Sequence, residues 1–525
     1  MTGLAREIIE GLDPALSLKR IKNDIQTDFI FAPHLNAIYV LVGEILWDRL
    51  SAKLKSGEYE SSLPYTLEVP KSSGLSRPGS ILNPFDRLAY QVVVDSLASQ
   101  ADYSINRSQV FSYSLLKDDY EGLMFEPASE SYSKFQAKVS ELCRKREYTH
   151  VLKADVSNYF ERIYHHVLIN SLRSAGCNPQ LVNFLEDLLS KLRQKDSHGI
   201  IQGLFPSDFL GTFYLCTIDA EHQLRNIPFF RYVDDMYCFF KNLNDARIHK
   251  VELCSLLRRD GLNLNSAKTK IYRADRLIRE VTAIERMFEE ARDEVGSEFE
   301  RADFYHSTIA WDFQYGDSLS DEIDEQEVDL KATENLFNQF DIYEEMRDKI
   351  DKFSLKIFAA AESSYALDYV LREYVKSAHM SQVFAKYLKI FIKDKAVCNA
   401  VEYLLFDKDI IFDYQRMWLY AILTAAERVS EKTVDLAINS LRNKNFSESL
   451  RAVCAIFIGK FGNAAQRRIL ENHYEQEGSQ YVRSAILYAA RHFPSGERNS
   501  CYSAWGGHSE INSLIVKAAK AVGDR

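Results

Sequence analysis

Two adjacent aspartates stand in the middle of an apolar, aromatic run, and this pattern constrains the fold more than any other feature. The run reads Phe229-Phe230-Arg231-Tyr232-Val233-Asp234-Asp235-Met236-Tyr237-Cys238-Phe239-Phe240. The β-forming residues on both sides predict two strands joined by a tight turn at Val233-Asp234-Asp235. Two carboxylates 4 Å apart repel each other by about 4 kcal/mol at an effective dielectric of 20, and a bound divalent cation removes that cost. Taken alone, the pair favours an ordinary Asp-Asp turn, because such turns are common.

A third carboxylate occurs in a similar setting upstream. Residues 152–160 predict a strand that runs into Asp155 and then turns into a helix. An aspartate at that strand end, beside the turn at Asp234-Asp235, would complete a cluster of three carboxylates. Oxygen ligands of this kind suit Mg²⁺, with Mn²⁺ as the alternative. Two such ions can activate an attacking hydroxyl oxygen and stabilise a leaving pyrophosphate.

Two further segments flank the aspartate pair. Between Asp155 and the pair, residues 199–210 predict a glycine-containing loop that opens a helix. Such a loop lets the backbone approach a substrate closely, and it contains Gln202 and Gly203. After the pair comes the segment Asp260-Gly261-Leu262-Asn263-Leu264-Asn265-Ser266-Ala267-Lys268-Thr269-Lys270-Ile271.

In their order and approximate spacing, these segments resemble the palm motifs of reverse transcriptases. Asp155 with Phe160 resembles motif A, and Gln202-Gly203 with Pro206-Ser207 and Leu210 resembles motif B. Residues 232–235 resemble motif C, and residues 261–269 resemble motif D. Upstream, residues 77–87 resemble the fingers motif of bacterial reverse transcriptases. Five motifs in one order, over about residues 75–272, are far more specific than any one of them.

The resemblance implies a metal site and a sugar-sensing residue. The metal-binding groups would be the carboxylates of Asp155, Asp234 and Asp235, with the backbone carbonyl of Val156 as a further ligand. Phe160 would be the steric gate, an aromatic ring under the sugar that excludes a 2′-hydroxyl and so favours deoxynucleotides. Simple core packing is the alternative for this ring.

Further residues are implied to contact the nucleotide. Gln202 and Gly203 would line the nucleotide or template pocket. Lys268 would lie near the triphosphate and donate a proton to pyrophosphate, unless it is only an exposed lysine. Arg77 and Arg87 are both candidates for contact with the triphosphate or the template.

The net charge of −10 is distributed unevenly along the chain. The charges sum to about 0 over residues 1–280, −15 over residues 281–350 and +5 over residues 351–525. An acidic chain does not suit a general nucleic-acid coater, which needs a basic surface, but the neutral palm segment leaves polymerisation open. The densest acidic block, residues 321–329, is typical of a solvated linker or an exposed helix face. A role in binding a partner or excluding nucleic acid is the alternative.

Beyond about residue 335 the pattern is almost entirely helical. Three apolar helices begin alike there, around Arg416, Arg451 and Arg483. The three arginines are 35 and 32 residues apart. A period of this length is typical of stacked helical pairs and is similar to HEAT-type repeats, with an irregular helical domain as the alternative. The predicted fold is therefore α+β, a reverse-transcriptase-like fingers–palm domain followed by an all-α HEAT-like helical repeat domain. The expected boundaries are 1–75 for an N-terminal extension of the fingers, 76–280 for fingers and palm, 281–350 for an acidic helical connector, and 351–525 for the repeats.

The cysteines and the hydropathy pattern indicate the compartment. The 8 cysteines are scattered singly without the short Cys/His spacings of zinc sites, so neither a zinc site nor a disulfide framework is expected. No apolar run approaches the roughly 18 residues of a membrane span. We therefore expect a cytoplasmic protein with reduced thiols and no membrane association.

The layout after motif D departs from templated reverse transcriptases, in which a primer grip and a basic thumb follow. Residues 273–280 show no clear primer grip, and the acidic segment would repel a duplex. A palm followed by helical repeats is similar to the abortive-infection (Abi) reverse transcriptases of bacteria and their prophages. That resemblance implies anti-phage defence by template-independent DNA synthesis from dNTPs, primed by a tyrosine hydroxyl of a homo-oligomeric protein. Tyr39 is offered as that tyrosine, against the alternative that it packs in the core.

Two other functions stay open. The first is a template-dependent reverse transcriptase that copies a dedicated RNA. The second is not enzymatic: the helical repeats would bind a phage or host protein, and the palm would act as a nucleotide sensor.

Overall fold

A computed structural model describes residues 4–116, 122–194, 196–283, 287–288, 323–339 and 344–523. Contacts between Cα atoms divide the chain into two compact units. The first unit contains Met1–Thr27, Leu50–Leu63 and Asp86–Asp317, and the second contains Asp28–Arg49, Pro64–Phe85 and Ser318–Arg525. Both units are built from segments that are distant in sequence.

The described residues form six strands and a large set of helices. The strands are β1 Tyr65–Pro70, β2 Ser76–Ile81, β3 His150–Ala154, β4 Phe229–Tyr232, β5 Asp235–Phe240 and β6 Lys270–Arg273. The helices up to residue 281 are α1 Arg6–Glu10, α2 Pro14–Asp24, α3 Pro33–Ser56, α4 Pro84–Asp102, α5 Ala128–Arg144, α6 Tyr159–Arg162, α7 His165–Ser174, α8 Pro179–Leu192, α9 Phe205–Tyr214, α10 Cys216–Leu224, α11 Leu243–Arg259 and α12 Ala274–Val281. Those that follow are α13 Ile323–Phe337, α14 Glu344–Ala360, α15 Leu367–Glu373, α16 Ser381–Phe391, α17 Lys395–Leu405, α18 Asp413–Leu423, α19 Glu431–Arg442, α20 Glu448–Phe461, α21 Ala464–Gln476, α22 Gln480–Ala489, α23 Ser495–Trp505 and α24 Glu510–Gly523, with 3-10 turns at Ala378–Met380 and Ala490–His492.

The first unit is organised around a four-stranded antiparallel sheet with the order β4-β5-β3-β6. Side chains alternate between its two faces. On one face, Val151, Tyr237 and Phe239 pack with residues of α5 and α12 in a continuous apolar core. Helix α11 contacts β3, β5 and β6. The strand predicted to run into Asp155 and the two strands predicted on either side of the aspartate pair are therefore confirmed.

The second unit combines a β-hairpin with an array of helices. Strands β1 and β2 pair antiparallel, and β1 contacts α18 and α20. Every second helix from α16 to α24 packs against the next one in that series. The apolar helices predicted around Arg416, Arg451 and Arg483 are α18, α20 and α22 of this array. The mostly helical C-terminal part that the sequence predicts is thus present.

The compact units differ from the boundaries expected from the sequence. The residues of β2 fall within the expected 76–280 domain, and those of β1 fall within the expected 1–75 extension. The two strands nevertheless pair with each other in the second unit. The reason is a set of long-range contacts, such as the ring of Tyr65 on β1, which lies 4.7 Å from the ring of Tyr481 on α22. Hydrophobic periodicity along the chain carries no information about such pairings.

The expected acidic connector at 281–350 falls largely outside the described residues. Within it, the structure describes helix α13 over Ile323–Phe337 and the start of α14 at Glu344. No described helix has the length and apolarity needed to cross a membrane.

Candidate active site

The turn between β4 and β5 holds the aspartate pair. Tyr232 pairs with Asp235, so Val233 and Asp234 are the two central residues of a tight hairpin. Val233 has a φ of +54°, a left-handed conformation that costs a β-branched residue about 1–3 kcal/mol. Its N–H donates to Ser112 Oγ at 2.9 Å, and its carbonyl accepts from Arg231 Nη1 at 2.7 Å. The surrounding structure therefore holds this turn in a strained shape.

Arg231 is the buried anchor of that turn, with no exposed surface. Its Nε donates to Asp219 Oδ1 on α10 at 2.9 Å, and its Nη2 donates to the Thr212 carbonyl on α9 at 3.0 Å. The fork geometry of guanidinium lets one side chain join two helices and the turn. Sequence reasoning did not single out Arg231 or Asp219, although an arginine inside an apolar strand is itself a signal of a buried ion pair.

Asp155 lies at the end of β3, beside the hairpin. Ala154 pairs with Met236 on β5, so continuing the register by one residue places Asp155 opposite Asp235. Paired residues of antiparallel strands lie about 4.5–5.5 Å apart at Cα. The structure therefore brings the three predicted carboxylates to one end of the sheet.

The segment that resembles motif D is bonded to the end of β3. The Asp155 carbonyl accepts from the Asn265 N–H at 2.8 Å, and the Asp155 N–H donates to Thr269 Oγ1 at 3.3 Å. Val156, the predicted carbonyl ligand, is buried and forms a bridge to Leu264. These bonds hold the segment that contains Lys268 next to the carboxylates, and Lys268 Nζ lies 3.6 Å from Asp155 Oδ1. The Lys268 side chain is 66% exposed, so it can also reach a ligand in solvent.

The electrostatics of the carboxylate cluster favour a cation. Burial, followed by the nearby carboxylates of Asp235 and Asp155, raises the pKa of Asp234 to about 7, and Lys268 opposes this shift. One lysine thus offsets only part of the repulsion among three acidic groups. Carboxylate oxygens are the ligands that Mg²⁺ and Mn²⁺ prefer, so the donor set fits a hard divalent cation.

The predicted steric gate is packed against the helix that follows the glycine-containing loop. Gly211 on α9 lies so close to Phe160 that an added Cβ would come within 2.9 Å of the ring. The Phe160 carbonyl accepts from the Ile200 N–H at 2.9 Å, and the Tyr159 hydroxyl donates to the Gly211 carbonyl. The ring is half-buried, so both the gate interpretation and a packing role remain compatible with its position. Gly211 is a close-approach residue that the sequence alone did not indicate.

Gln202 and Gly203 lie where the sequence predicted, in the turn immediately before α9. Gly203 has a φ of +85°, which glycine adopts without strain. Both residues are half-buried. The loop is tied to Phe160 through Ile200, so motif-A-like and motif-B-like segments form one structure.

The surroundings of two candidate residues favour a packing role. Arg87 is buried and donates to Asp24 Oδ2 at 2.9 Å, which ties it to the core of the first unit. Tyr39 is only 2% exposed, which favours the core-packing alternative over a priming nucleophile. In the second unit, the Arg77 guanidinium stacks 4.5 Å from the centre of the Phe29 ring.

Comparisons with known proteins agree with the palm geometry. Residues 69–302 match the model of the family described as Reverse transcriptase (RNA-dependent DNA polymerase). No curated protein sequence matches the chain.

Three solved structures of telomerases resemble the chain weakly. Apo telomerase from Candida tropicalis has 10% identity and a TM-score of 0.32, covering 90% of this chain and 74% of that chain. Telomerase from Candida tropicalis with a TWJ fragment of telomeric RNA has 11% identity and a TM-score of 0.32, covering 74% and 67%. Telomerase from Candida albicans with a TWJ fragment has 12% identity and a TM-score of 0.30, covering 75% and 64%. Scores this low carry no argument about function.

The family match spans all of the segments that meet at the end of the palm sheet. It includes the three aspartates, the aromatic ring on α6, the loop before α9 and the lysine beside Asp155. The chain therefore carries a fingers–palm domain of the reverse transcriptase family, and it is a nucleotidyltransferase of the RNA-directed DNA polymerase kind.

Proposed function

We propose that this polymerase makes DNA from dNTPs without a template, primed by a tyrosine hydroxyl of the protein, in defence against phages. The observation that carries the polymerase part is the cluster of Asp155, Asp234 and Asp235 at the end of the palm sheet. In the reaction, a hydroxyl oxygen forms a bond to the α-phosphorus of a dNTP. The bond from that phosphorus to the pyrophosphate oxygen breaks, and the hydroxyl proton leaves to solvent or a nearby base.

Mg²⁺, or Mn²⁺ in its place, would be held by the three carboxylates, with the Val156 carbonyl as a further ligand, and would supply charge stabilisation for the attacking oxygen and the pyrophosphate. The chain's own residues do the rest. The hairpin fixed by Arg231 holds the aspartates in place, and the Phe160 ring would exclude a 2′-hydroxyl. Lys268, 3.6 Å from Asp155 Oδ1 and exposed on its other side, is placed to donate a proton to the departing pyrophosphate.

Charge distribution supports the template-free part of the proposal. Residues 281–350, directly after the palm, carry a net charge of −15. Phosphates of a long duplex would be repelled at this position, whereas contact with a duplex requires Lys and Arg. A short or protein-linked product needs no such contact.

The priming tyrosine must present its hydroxyl to solvent. Tyr39 is buried, so it is a poor candidate. Tyr103, in contrast, is 87% exposed in the first unit. Peptide mapping of the protein after reaction would identify any tyrosine that carries a nucleotide.

The experiment uses the full-length protein with labelled dNTPs, with and without added RNA and after RNase treatment. We expect label that stays on the denatured protein band without any template and disappears after proteinase digestion. The double variant Asp234→Asn, Asp235→Asn should abolish labelling. The matched control Asp187→Asn, an exposed carboxylate on α8, should label normally.

Other outcomes would select other functions. Incorporation that requires RNA and leaves the protein unlabelled would contradict the template-free proposal and favour a templated enzyme. A defence phenotype in cells that survives the double aspartate change would favour the binding scaffold with a nucleotide-sensing palm. A homo-oligomer and a phage or host partner are further parts of the proposal, and size measurement and co-purification during infection test them.

A further inference from the structure

Three metal-ligating side chains converge inside the first unit, away from the carboxylate cluster. They are His222 on α10, Cys238 on β5 and His249 on α11. Their exposed fractions are 0%, 0% and 2%. The three ligand atoms all lie within 4.8 Å of one another. Sheet alternation explains the convergence, because Cys238 faces away from the α5–α12 core that holds Tyr237 and Phe239.

Two of the three distances between ligand atoms are close to those required by a single tetrahedral ion. The two Nε2 atoms of His222 and His249 are 3.1 Å apart, and Cys238 Sγ is 3.7 Å from His222 Nε2. A tetrahedral Zn²⁺ with bonds of about 2.05 Å to nitrogen and about 2.3 Å to sulfur separates two nitrogens by about 3.4 Å and a nitrogen from a sulfur by about 3.6 Å. The third pair, Cys238 and His249, has its ligand atoms within 4.8 Å of each other, so a shift of about 1 Å or less would bring all three to the ion.

A second observation concerns the groups behind the ligands. Histidines that bind metals usually direct their other ring nitrogen to a carboxylate or a carbonyl, which fixes the ring. Here His249 Nδ1 lies 3.6 Å from Glu252 Oε2, one turn further along α11. Glu252 is itself held by Arg225 Nη1 at 3.1 Å. His249 therefore has its Nε2 beside His222 and its Nδ1 on the side of the Glu252 carboxylate.

The walls of the cluster are apolar. The ring of Phe229 lies 4.7 Å from His222, and the ring of Phe240 lies 5.3 Å from His249.

The alternative to a metal site is a hydrogen bond between two neutral imidazoles, from one Nε2 to the other, in which Cys238 takes no part. That arrangement explains the His–His contact but gives no reason for a thiol at the same point.

We propose that His222, Cys238 and His249 form a Zn²⁺ site in the palm. Two imidazoles and a thiolate suit Zn²⁺ and not the hard cation of the carboxylate cluster. On binding, two Zn–N bonds and one Zn–S bond form, the Cys238 thiol releases its proton to solvent, and no electron is transferred. A fourth ligand would have to come from outside these three side chains.

The site would join the elements behind the catalytic hairpin. Cys238 is on the same strand as Asp235, and α10 carries Asp219, which holds Arg231. An ion that ties α10, β5 and α11 together would therefore stabilise the scaffold of the turn. The ligands are 16 and 11 residues apart in sequence, which is why no short zinc-binding spacing pointed to them.

The test begins with the full-length protein, stripped by a chelator and dialysed against Zn²⁺. We expect about one bound Zn²⁺ per chain by elemental analysis, and a thiolate-to-metal absorption band when Co²⁺ replaces it. The double variant Asp234→Asn, Asp235→Asn should keep its zinc, so the result does not depend on the polymerase proposal. Absence of both zinc and the cobalt band from folded protein would overturn the site, as would binding of Cu⁺ but not Zn²⁺.

Variants sharpen the assignment. Cys238→Ser and His249→Gln should lose the metal, while Cys254→Ser, a thiol on α11 outside the cluster, should retain it. Glu252→Gln should bind zinc about 10-fold more weakly, because it removes only a group behind a ligand. This last variant is on the exposed side of His249 and should fold normally, so unchanged zinc affinity in it would contradict the orientation argument even if the ligand variants fail to fold.

Discussion

The carboxylate cluster of the palm and the buried Glu477 of the helical array differ in how their charges are matched. In the array, Glu477 accepts from Arg451 Nη2 at 2.9 Å and from the Ser479 N–H at 2.8 Å, and it lies 3.1 Å from His473 Nε2. Its charge is fully matched by its neighbours. At the end of the palm sheet, three carboxylates lie together, Lys268 Nζ is 3.6 Å from Asp155 Oδ1, and the pKa of Asp234 is raised to about 7 by burial and the other carboxylates. Clustered like charges favour a cationic ligand, whereas an ion pair with matched charges favours a structural role.

The largest effect should come from breaking the buried ion pair between Arg231 and Asp219, next to the hairpin of β4 and β5. Arg231→Met leaves Asp219 buried without its partner, which typically costs about 3–5 kcal/mol of unfolding free energy. The strained turn at Val233 also loses its anchor, so incorporation should fall with stability. Urea unfolding and dNTP incorporation measure both effects. Arg225→Met, an exposed arginine on the neighbouring segment, is the control, and equal stability of the two variants would contradict the assignment.

Breaking the buried ion pair between Arg451 and Glu477 in the helical array should lower stability without slowing dNTP incorporation. Glu477→Ala leaves Arg451, which is 4% exposed, without a carboxylate, and we expect a loss of about 3 kcal/mol in unfolding free energy. Below the unfolding temperature, the rate of dNTP incorporation should stay within about twofold of the wild type. A large loss of rate in protein that is still folded would show that the array takes part in the reaction.

Lys268→Met tests whether the lysine beside Asp155 acts as a proton donor. Loss of a general acid lowers the rate by about 10²–10⁴-fold, and we expect the lower end because solvent is accessible at this site. Stability should not change, since the side chain is 66% exposed. Single-turnover incorporation kinetics measure the rate, with Lys270→Met as the matched exposed control. Similar rates for both variants would reduce Lys268 to a surface lysine.

The smallest effect concerns sugar selection. Phe160→Ala should reduce the preference for dNTPs over NTPs by about 10-fold, within the range that one side chain in a pocket provides. Phe160→Tyr keeps an aromatic ring and should keep the preference. Competition between labelled dATP and ATP measures the ratio. If Phe160→Ala loses stability while the ratio stays the same, the ring only packs against Gly211.

The sequence was sufficient for features encoded by local pattern. The runs of β-forming residues before Asp155 and around the aspartate pair predicted the strands, and the resemblance of the motifs predicted that Asp155, Asp234 and Asp235 lie together. Tertiary contacts could not be predicted in this way. Strand β1 contacts α18 and α20, and Arg231 forms an ion pair with Asp219, but no short sequence pattern marks either contact. The convergence of His222, Cys238 and His249 was missed for the same reason, since their spacing reflects helix and strand packing and not a loop motif.

The central claim is that the cluster of Asp155, Asp234 and Asp235 holds the metal for nucleotidyl transfer, and Asp155→Asn tests it most directly. This single change keeps the shape of the side chain and its backbone bonds to Asn265 and Thr269 while it removes one metal-binding charge. The measurement is the initial rate of dNTP incorporation by full-length protein in Mg²⁺, beside Asp187→Asn and with thermal unfolding as a check on folding. The account predicts a rate at least about 10³-fold below that of the control at unchanged stability. A folded Asp155→Asn protein with a rate within tenfold of the wild type would contradict it.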